Sequence, residues 1–137
     1  MIKAKDVHKS YGATEASRTV ALSGVDLHIR KGEMVSIMGP SGCGKTTLLY
    51  TLSGIEPADR GEIWFDHHPL HTMSEKDVSA LRLKTMGFVY QQYNLIPVLN
   101  VAENVTLPLI SQGVRKSAAL EAAEAALHDV MLSDKRK

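Results

Sequence analysis

The sequence predicts an α/β fold in which an antiparallel β region precedes a strand–loop–helix unit. In Val25–Ile29, apolar residues alternate with polar ones, which is typical of a half-buried strand. Met34–Met38 is a mostly apolar run of strand length, as found in sheets that are covered on both faces. A glycine-rich segment, Gly39–Gly44, follows that run and leads into residues that favour a helix. This order of strand, loop and helix indicates an α/β unit.

The other predicted strands are short runs bounded by turn or loop residues. They are Ile2–His8, Thr19–Leu22, Glu62–Asp66 and Phe88–Tyr90. The pair Ser23-Gly24 lies between the second of these segments and Val25–Ile29, and Lys31-Gly32 is the predicted turn after Val25–Ile29. Two irregular segments, Ala13–Arg18 and Glu56–Gly61, are predicted to be loops. We expect the early strands to pair in antiparallel fashion.

Four helices are predicted from capping residues and helix-forming stretches. They run from Lys45 to Ser53, from Ser74 to about Lys84, from Asn100 to Pro108, and from Ala118 to Leu132. The predicted caps are Gly54 at the end of the first helix, the pairs Ser74–Asp77 and Asn100–Glu103 as capping boxes, and Ser117 before the last helix. Pro108 is expected to end the third helix because proline cannot donate a helical hydrogen bond.

Composition limits the classes of function. The chain has 137 residues, with 16 basic and 15 acidic side chains, so its formal charge of +1 gives no electrostatic case for nucleic acid. A single cysteine, Cys43, excludes an internal disulfide framework and fits a reducing compartment. No run approaches the roughly 20 apolar residues of a membrane span, and the first residues lack the apolar core of a signal peptide. We expect a single cytosolic domain.

One motif carries chemistry. The pattern G-x-x-x-x-G-K-[ST], which forms a phosphate-binding loop, is matched by Gly39-Pro40-Ser41-Gly42-Cys43-Gly44-Lys45-Thr46. Its glycines let successive backbone N–H groups point at one anion, and the loop opens onto a helix N-terminus, where the helix dipole favours phosphate. Lys45 adds a mobile positive charge, and the Thr46 hydroxyl is a hard oxygen ligand for Mg²⁺. The motif therefore predicts a P-loop NTPase core.

Several further segments make the sequence resemble the ATP-binding subunits of ABC transporters, in the branch that serves lipoprotein release, macrolide export and antimicrobial-peptide resistance. They are Lys9–Gly12, Ala21–Val25, Lys31–Glu33, Ile37–Leu49, Gly87–Gln91, Asn94–Pro97 and Glu103–Val105. The resemblance implies that residues 1–137 are the N-terminal part of one ATP-binding domain whose C-terminal half is missing. Residues 1–91 would hold the antiparallel subdomain and the P-loop core. Residues 92–137 would hold the Q-loop segment and the start of a helical subdomain.

The same resemblance assigns roles to individual residues. It implies that Tyr11 stacks on adenine, and that Gln91 reaches Mg²⁺ and the attacking water. The residues it places around ATP are Tyr11, Gly39, Pro40, Ser41, Gly42, Cys43, Gly44, Lys45, Thr46, Thr47 and Gln91. Thr46 and Gln91 are the implied Mg²⁺ contacts. The competing interpretations are a strand-end aromatic residue covering the sheet for Tyr11, and a solvated polar residue at a strand end for Gln91.

The implied activity is the coupling of ATP binding and hydrolysis to transport across the cytoplasmic membrane. The implied partners are membrane permease subunits and a second ATP-binding subunit, with the protein lying on the inner face of the membrane. Residues 93–104 would line the groove that receives a coupling helix of the transporter.

Three family motifs are absent from the 137 residues: the Leu-Ser-Gly-Gly-Gln signature, the Walker B strand with its Asp-Glu pair, and the switch histidine. Ile63–Asp66 is apolar and ends in an acid, but His67 rather than Glu follows it. The chain alone is therefore not expected to hydrolyse ATP efficiently. An alternative is a non-catalytic remnant or nucleotide-responsive binding module, and a third is a small P-loop kinase or GTPase, for which no Asn-Lys-x-Asp is present.

If the Walker B strand normally pairs with Met34–Met38, its absence would expose apolar side chains, and we expect poor solubility or association. Three smaller features have alternative interpretations. His67, His68 and His71 suggest a metal site or a solvated turn, and Cys43 suggests a reactive thiol or a small loop residue. The basic end, Lys135-Arg136-Lys137, suggests a phosphate or membrane patch or a solvated terminus.

Overall fold

The computed structural model describes residues 1–135, which belong to two compact units. The first unit is Met1–Arg82 and the second is Leu83–Lys137. Arg136 and Lys137 lie outside the described residues, so most of the basic end is not described. None of the helices formed by residues 1–135 has the length and hydropathy that crossing a bilayer requires.

The first unit is built on a four-stranded antiparallel sheet. Its strands are β1 (Ile2–Tyr11), β2 (Thr19–Ile29), β3 (Arg60–Phe65) and β4 (His68–Pro69), in the order β2-β1-β3-β4. The central strand β1 pairs through Ile2 with Ile29 on one side and with Phe65 on the other. The predicted antiparallel character of the early chain is confirmed.

The two segments predicted on either side of Ser23-Gly24 form one strand, because β2 runs through the pair. The register moves from Lys9–Leu22 to Val7–Val25, so β2 carries one more residue than β1 between these pairs. Gly24 lies in this irregularity with a φ of +66°. A glycine in a strand relieves a bulge as readily as it makes a turn, and the local pattern does not distinguish the two.

Two predicted strands are not formed. Met34–Met38 and Phe88–Tyr90 have no strand assignment within the described residues, and neither joins the sheet. Met34 is fully exposed and Met38 is 86% exposed. A strand needs a neighbour that accepts and donates its ladder hydrogen bonds, and the described residues give Met34–Met38 none. Its apolar side chains are exposed, while the association that we expect from them stays a prediction.

Two helices cover the sheet of the first unit, α1 (Lys45–Leu52) and α2 (Glu75–Thr85), the last residues of α2 belonging to the second unit. The core of the first unit consists of Ala4, Val7, Leu22, Leu52, Ile63, Leu70 and Val78. Ser53 caps the C-terminus of α1, and Gly54 follows at φ +67°. A Cβ at Gly54 would lie 2.5 Å from Val78 Cγ1, so the glycine predicted as a cap also lets α2 pack closely.

Ser74 caps α2 as predicted, with one change in the capping box. Its Oγ accepts a hydrogen bond from Asp77 N at 3.2 Å, and its hydroxyl donates to the Asp77 carboxylate at 2.6 Å. In a complete box the carboxylate would accept from the backbone N–H of the cap residue. Here the Ser74 hydroxyl, instead of the Ser74 backbone N–H, donates to the Asp77 carboxylate.

The second unit contains two helices that pack against each other, α3 (Val101–Ser111) and α4 (Lys116–Asp129). Their buried residues are Thr106, Ala119, Ala123 and Leu127. The predicted capping box of α3 is confirmed, since Asn100 Oδ1 accepts from Glu103 N at 2.8 Å and Asn100 N donates to Glu103 Oε2 at 2.9 Å.

The predicted ends of both helices need correction. Pro108 does not end α3, which continues through it to Ser111. Proline removes only its own bond, and Gln112 N donates to Pro108 O at 3.1 Å, so the ladder resumes. Ser117 does not cap α4, because Ala119 N donates to Arg115 O at 2.9 Å and the helix has already begun at Lys116.

Candidate phosphate-binding site

The glycine-rich loop connects the exposed segment Met34–Met38 to α1. Gly44, the last loop residue, is the N-terminal cap of α1 and has a left-handed backbone with φ +88°. A Cβ at this position would lie 2.5 Å from the carbonyl oxygen of Ala21 in β2. Only glycine therefore lets α1 begin this close to the sheet.

The N-terminus of α1 presents positive potential at the loop. The first intrahelical hydrogen bond runs from Leu48 N to Gly44 O at 2.8 Å, so helix geometry leaves the N–H groups of Lys45, Thr46 and Thr47 without an acceptor four residues back. The first turn of α1 has no acidic side chain. Both features favour an anion here.

Lys45 folds back across the loop. Its Nζ donates to the carbonyl oxygens of Gly39 at 2.9 Å and Pro40 at 2.6 Å, and lies 3.6 Å from Cys43 Sγ. The ammonium group is thereby held over the loop that the motif assigns to phosphate. The contacts also span both ends of the loop, so Lys45 stabilises its curvature.

Cys43 is exposed, and its thiol occupies space that Gly39 leaves. A Cβ at Gly39 would lie 2.7 Å from Cys43 Sγ. This contact gives Gly39 and Cys43 a packing role within the loop, and the reactivity of the thiol stays untested.

Thr46 is the motif side chain at the end of the loop that offers a hard oxygen to a cation. It is exposed at the second position of α1. A hydroxyl beside a phosphate cradle fits Mg²⁺, which usually takes few protein ligands and completes its octahedron with phosphate oxygens and water. The donor set therefore fits magnesium bound together with a polyphosphate, and not by itself.

The histidine cluster does not form a metal centre. No group of three or more potential His, Cys, Asp or Glu ligands occurs among the described residues. His71 Nδ1 is instead 3.2 Å from Ile63 N and 3.1 Å from Ile63 O, and its ring packs edge-on against Trp64. His67 and His68 pack against each other beside β4.

Tyr11 lies at the end of β1, beside the first turns of α1. Its hydroxyl donates to Glu56 Oε2 at 2.5 Å and lies 3.4 Å from Thr47 Oγ1. Tyr11 is 42% exposed, and Lys9 Nζ lies 5.7 Å from the centroid of its ring. The hydrogen bond to Glu56 raises the pKa of Tyr11 above its ordinary 10.0, because ionisation would place two negative charges together. The structure thus brings Tyr11 to the helix that follows the loop.

Further contacts tie the end of β1 to the loop after α1. Lys9 Nζ donates to Pro57 O at 2.7 Å, and both the backbone N–H and the hydroxyl of Ser10 donate to Asp59 Oδ2 at 2.7 Å. Glu56 and Asp59 could not be identified from the sequence. Neither belongs to a motif, and each lies more than 40 residues from its partner, so no local signal could have found them.

Gln91 belongs to the second unit, whereas Tyr11 and residues 39–47 belong to the first. Gln91 is exposed, in a bend between the end of α2 and α3. Its assignment to the site comes from the sequence resemblance, and the fold of its own unit adds no contact that tests it.

A cavity of about 450 Å³ opens in the first unit, away from the loop. Its lining includes Thr51, Glu56, Ile63 and His71 but no residue of 39–47. Among the described residues, no buried side-chain nitrogen or oxygen lacks a hydrogen-bond partner. The phosphate-binding motif predicts a site at the open loop instead, because phosphate cradles are concave main-chain surfaces and not enclosed pockets.

A family model and two curated relatives all relate this chain to ABC transporters. The family model described as ABC transporter matches residues 22–137. The lipoprotein-releasing system ATP-binding protein LolD of Roseobacter denitrificans is 37% identical over 135 residues, which is 98% of this chain and 60% of that protein. The bacitracin export ATP-binding protein BceA of Halalkalibacterium halodurans is 42% identical over 121 residues, covering 88% and 47%.

A solved structure has the same fold. It is the dimeric, post-hydrolysis state of the ATP-binding cassette MJ0796 of Methanocaldococcus jannaschii, bound to ADP and Pi, with a TM-score of 0.86 and 37% identity. The alignment covers 93% of this chain and 56% of that one. The chain thus spans about half to three fifths of the length of the proteins it matches.

Proposed function

This chain belongs to the ABC transporter family, and we propose that its residues bind MgATP as part of a transporter's ATP-binding subunit. One observation carries the proposal: α1 begins at Gly44 with no acid in its first turn, and Lys45 is held across the loop before it. This arrangement offers main-chain N–H groups, a helix dipole and a mobile cation to one polyphosphate.

Each part of the nucleotide has a partner in the first unit. The backbone N–H groups of residues 42–47 bind the inner phosphates, and the Lys45 ammonium binds the outer ones. The Thr46 hydroxyl would hold Mg²⁺, which would neutralise phosphate charge when bound. Tyr11, tied to α1 through Thr47 and Glu56, stacks on adenine.

Binding requires Lys45 to change partners. Its Nζ exchanges the carbonyl oxygens of Gly39 and Pro40 for phosphate oxygens, which carry full negative charge. Both sets of hydrogen bonds are charge-assisted, because the donor is an ammonium group. Only the phosphate oxygens add attraction between opposite full charges, so the exchange favours the bound state. Wild-type affinity therefore depends on the ammonium group and not only on the loop amides.

In the assembled transporter, we assign Gln91 to the Mg²⁺ ion and the attacking water, and residues 93–104 to the surface that contacts a membrane permease. A second ATP-binding subunit would complete the site, and the complex would lie on the inner face of the membrane. The support comes from relatives named for lipoprotein release and bacitracin export, and from a relative solved as a dimer.

We assign binding, and not turnover, to these 137 residues. They contain neither a Walker B acid nor the signature, and phosphoryl transfer depends on an acid that holds Mg²⁺ opposite the loop hydroxyl. The matches to ATP-binding transporter subunits favour this role over a nucleotide-responsive module of another kind.

Calorimetric titration with MgATP tests the proposal. Lys45→Ala should weaken binding by at least about tenfold, because a hydrogen bond to a charged group contributes about 1.5–3 kcal/mol. Lys76→Ala, which removes an exposed lysine of α2, should bind like the wild type. Equal affinities of Lys45→Ala and the wild type would contradict the proposal.

A further inference from the structure

We propose that Glu56 is a positioning residue that holds the Tyr11 ring where the base of the nucleotide stacks. The inference rests on the proposed function, since it requires adenine to lie against Tyr11. It goes beyond that function because Glu56 belongs to no phosphate-binding motif. Within residues 1–135, its side chain reaches the nucleotide through Tyr11, whose hydroxyl donates to Glu56 Oε2 at 2.5 Å.

Glu56 is itself fixed to the helix that follows the phosphate loop. Its backbone N–H donates to Tyr50 O in α1 at 3.2 Å, and its side chain is half-buried. The second contact of the Tyr11 hydroxyl, Thr47 Oγ1 at 3.4 Å, is also in α1. The hydroxyl end of the ring is thus held against α1, the helix whose N-terminus faces the phosphates.

The neighbours of Tyr11 fix the inner end of its side chain. Ser10 is bound to Asp59 through both its backbone N–H and its hydroxyl, and Lys9 is bound to Pro57 O. The Lys9 ammonium also lies 5.7 Å from the centre of the Tyr11 ring, on one face of it. With the backbone held, the hydrogen bond to Glu56 is what sets the direction of the ring.

This geometry predicts an effect on base recognition and none on phosphate recognition. Stacking gains free energy only when the ring already lies parallel to the base at contact distance, and ordering a loose side chain at binding lowers affinity. Residues 39–47, which face the phosphates, make no contact with Glu56 among the hydrogen bonds of the described residues except through Tyr11 and Thr47.

The test compares MgATP with magnesium tripolyphosphate, which has the phosphates but no base, by calorimetric titration of the 137-residue chain. Glu56→Leu should weaken MgATP binding by about threefold to tenfold, the equivalent of one net hydrogen bond, and leave tripolyphosphate binding unchanged. Glu56→Gln, which keeps an oxygen acceptor, should retain most of the affinity. Glu121→Leu, which removes an exposed glutamate of α4, should match the wild type for both ligands.

Tyr11→Phe supplies a second, independent arm because it keeps the ring and removes the hydroxyl. It should weaken MgATP binding as Glu56→Leu does, and the double variant should be no weaker than either single one. Melting temperatures of the variants identify any that fail to fold. If Glu56→Leu does not fold, the MgATP affinity of Tyr11→Phe tests the inference.

Three results would overturn the inference. One is equal MgATP affinity of Glu56→Leu, Tyr11→Phe and the wild type. Another is a parallel loss of affinity for both ligands in Glu56→Leu, which would indicate a purely structural role. The third is a wild type that binds tripolyphosphate as tightly as MgATP, which would remove the base contact while leaving phosphate binding in place. A wild type that binds neither ligand would overturn the proposed function and the inference with it.

Discussion

Gly44 and Ala21 approach so closely that a Cβ on Gly44 would lie 2.5 Å from the carbonyl oxygen of Ala21. The contact joins the end of the phosphate-binding loop to β2 and sets where α1 begins. Gly44 also has a φ of +88°, which L-residues with a side chain rarely adopt. The identity of this residue is therefore dictated both by backbone conformation and by packing.

The first prediction concerns this contact. Gly44→Ala should lower the free energy of unfolding by more than about 1–3 kcal/mol, the usual cost of backbone strain alone, because the added methyl group also collides with β2. Gly32→Ala is the matched control, since Gly32 has a φ of +83° and nothing within 4 Å of a Cβ. Urea unfolding of both variants measures the difference, and equal losses would show that the close approach to Ala21 has no energetic effect.

The second prediction concerns the capping of α3 and α4. Asn100→Ala should cost about 1 kcal/mol, because it removes the side chain that accepts from Glu103 N. Ser117→Ala should change the free energy of unfolding by less than about 0.5 kcal/mol, because Ser117 lies inside α4 and caps nothing. Urea unfolding followed by circular dichroism compares them. A larger loss for Ser117→Ala would contradict the observed start of α4.

The elements of the fold differ in how far the local sequence determines them. The phosphate-binding loop and the Asn100–Glu103 box were predicted because each is a contiguous pattern whose partners lie within a few residues. Met34–Met38 was predicted as a strand from its composition, but a strand exists only where a neighbour completes its ladder. The start of α4 was missed because serine is a preferred cap residue and arginine is not. The hydrogen bond from Ala119 N to Arg115 O shows that Arg115 is the cap.

The part of the candidate site that is contiguous in sequence was predicted, and the contacts between distant residues were not. Residues 39–46 act as one segment, so the motif predicts the loop and the helix that it opens onto. The contact between Tyr11 and Glu56 joins positions 45 residues apart, and no pattern in the sequence predicts it. The Gly44–Ala21 contact is equally remote in sequence, so the necessity of that glycine is visible only in the fold.

The third prediction concerns the ionisation of Tyr11. The hydrogen bond to Glu56 raises the pKa of Tyr11 above 10.0, so the bond is intact below pH 10.0 and is lost as the pH rises through the raised value. The Glu56→Gln variant should bring the pKa of Tyr11 back toward 10.0. Phenolate absorbance, taken as the difference between each protein and its Tyr11→Phe counterpart, reports this group alone. Ionisation of Tyr11 at or below 10.0 in the wild type would contradict the hydrogen bond.

The fourth prediction concerns acid stability at the end of β1. Hydrogen bonds from Ser10 hold the pKa of Asp59 below its ordinary 3.8, and Lys9 contributes further. The unfolded chain therefore binds the proton more readily, so the stabilisation is present above pH 3.8 and is lost as the pH falls through the lowered value. Asp59→Asn should flatten the fall in the urea midpoint over this interval. An unchanged pH profile would show that Asp59 is not held as a carboxylate by Ser10.

The measurement that tests the central claim most directly is a crystal structure of the chain with MgATP. The account predicts the polyphosphate on the backbone N–H groups of residues 42–47, with Lys45 Nζ moved from the carbonyl oxygens of Gly39 and Pro40 to phosphate oxygens. It also predicts the base against Tyr11. Nucleotide bound elsewhere, or Lys45 still bonded to both carbonyl groups with nucleotide present, would contradict it.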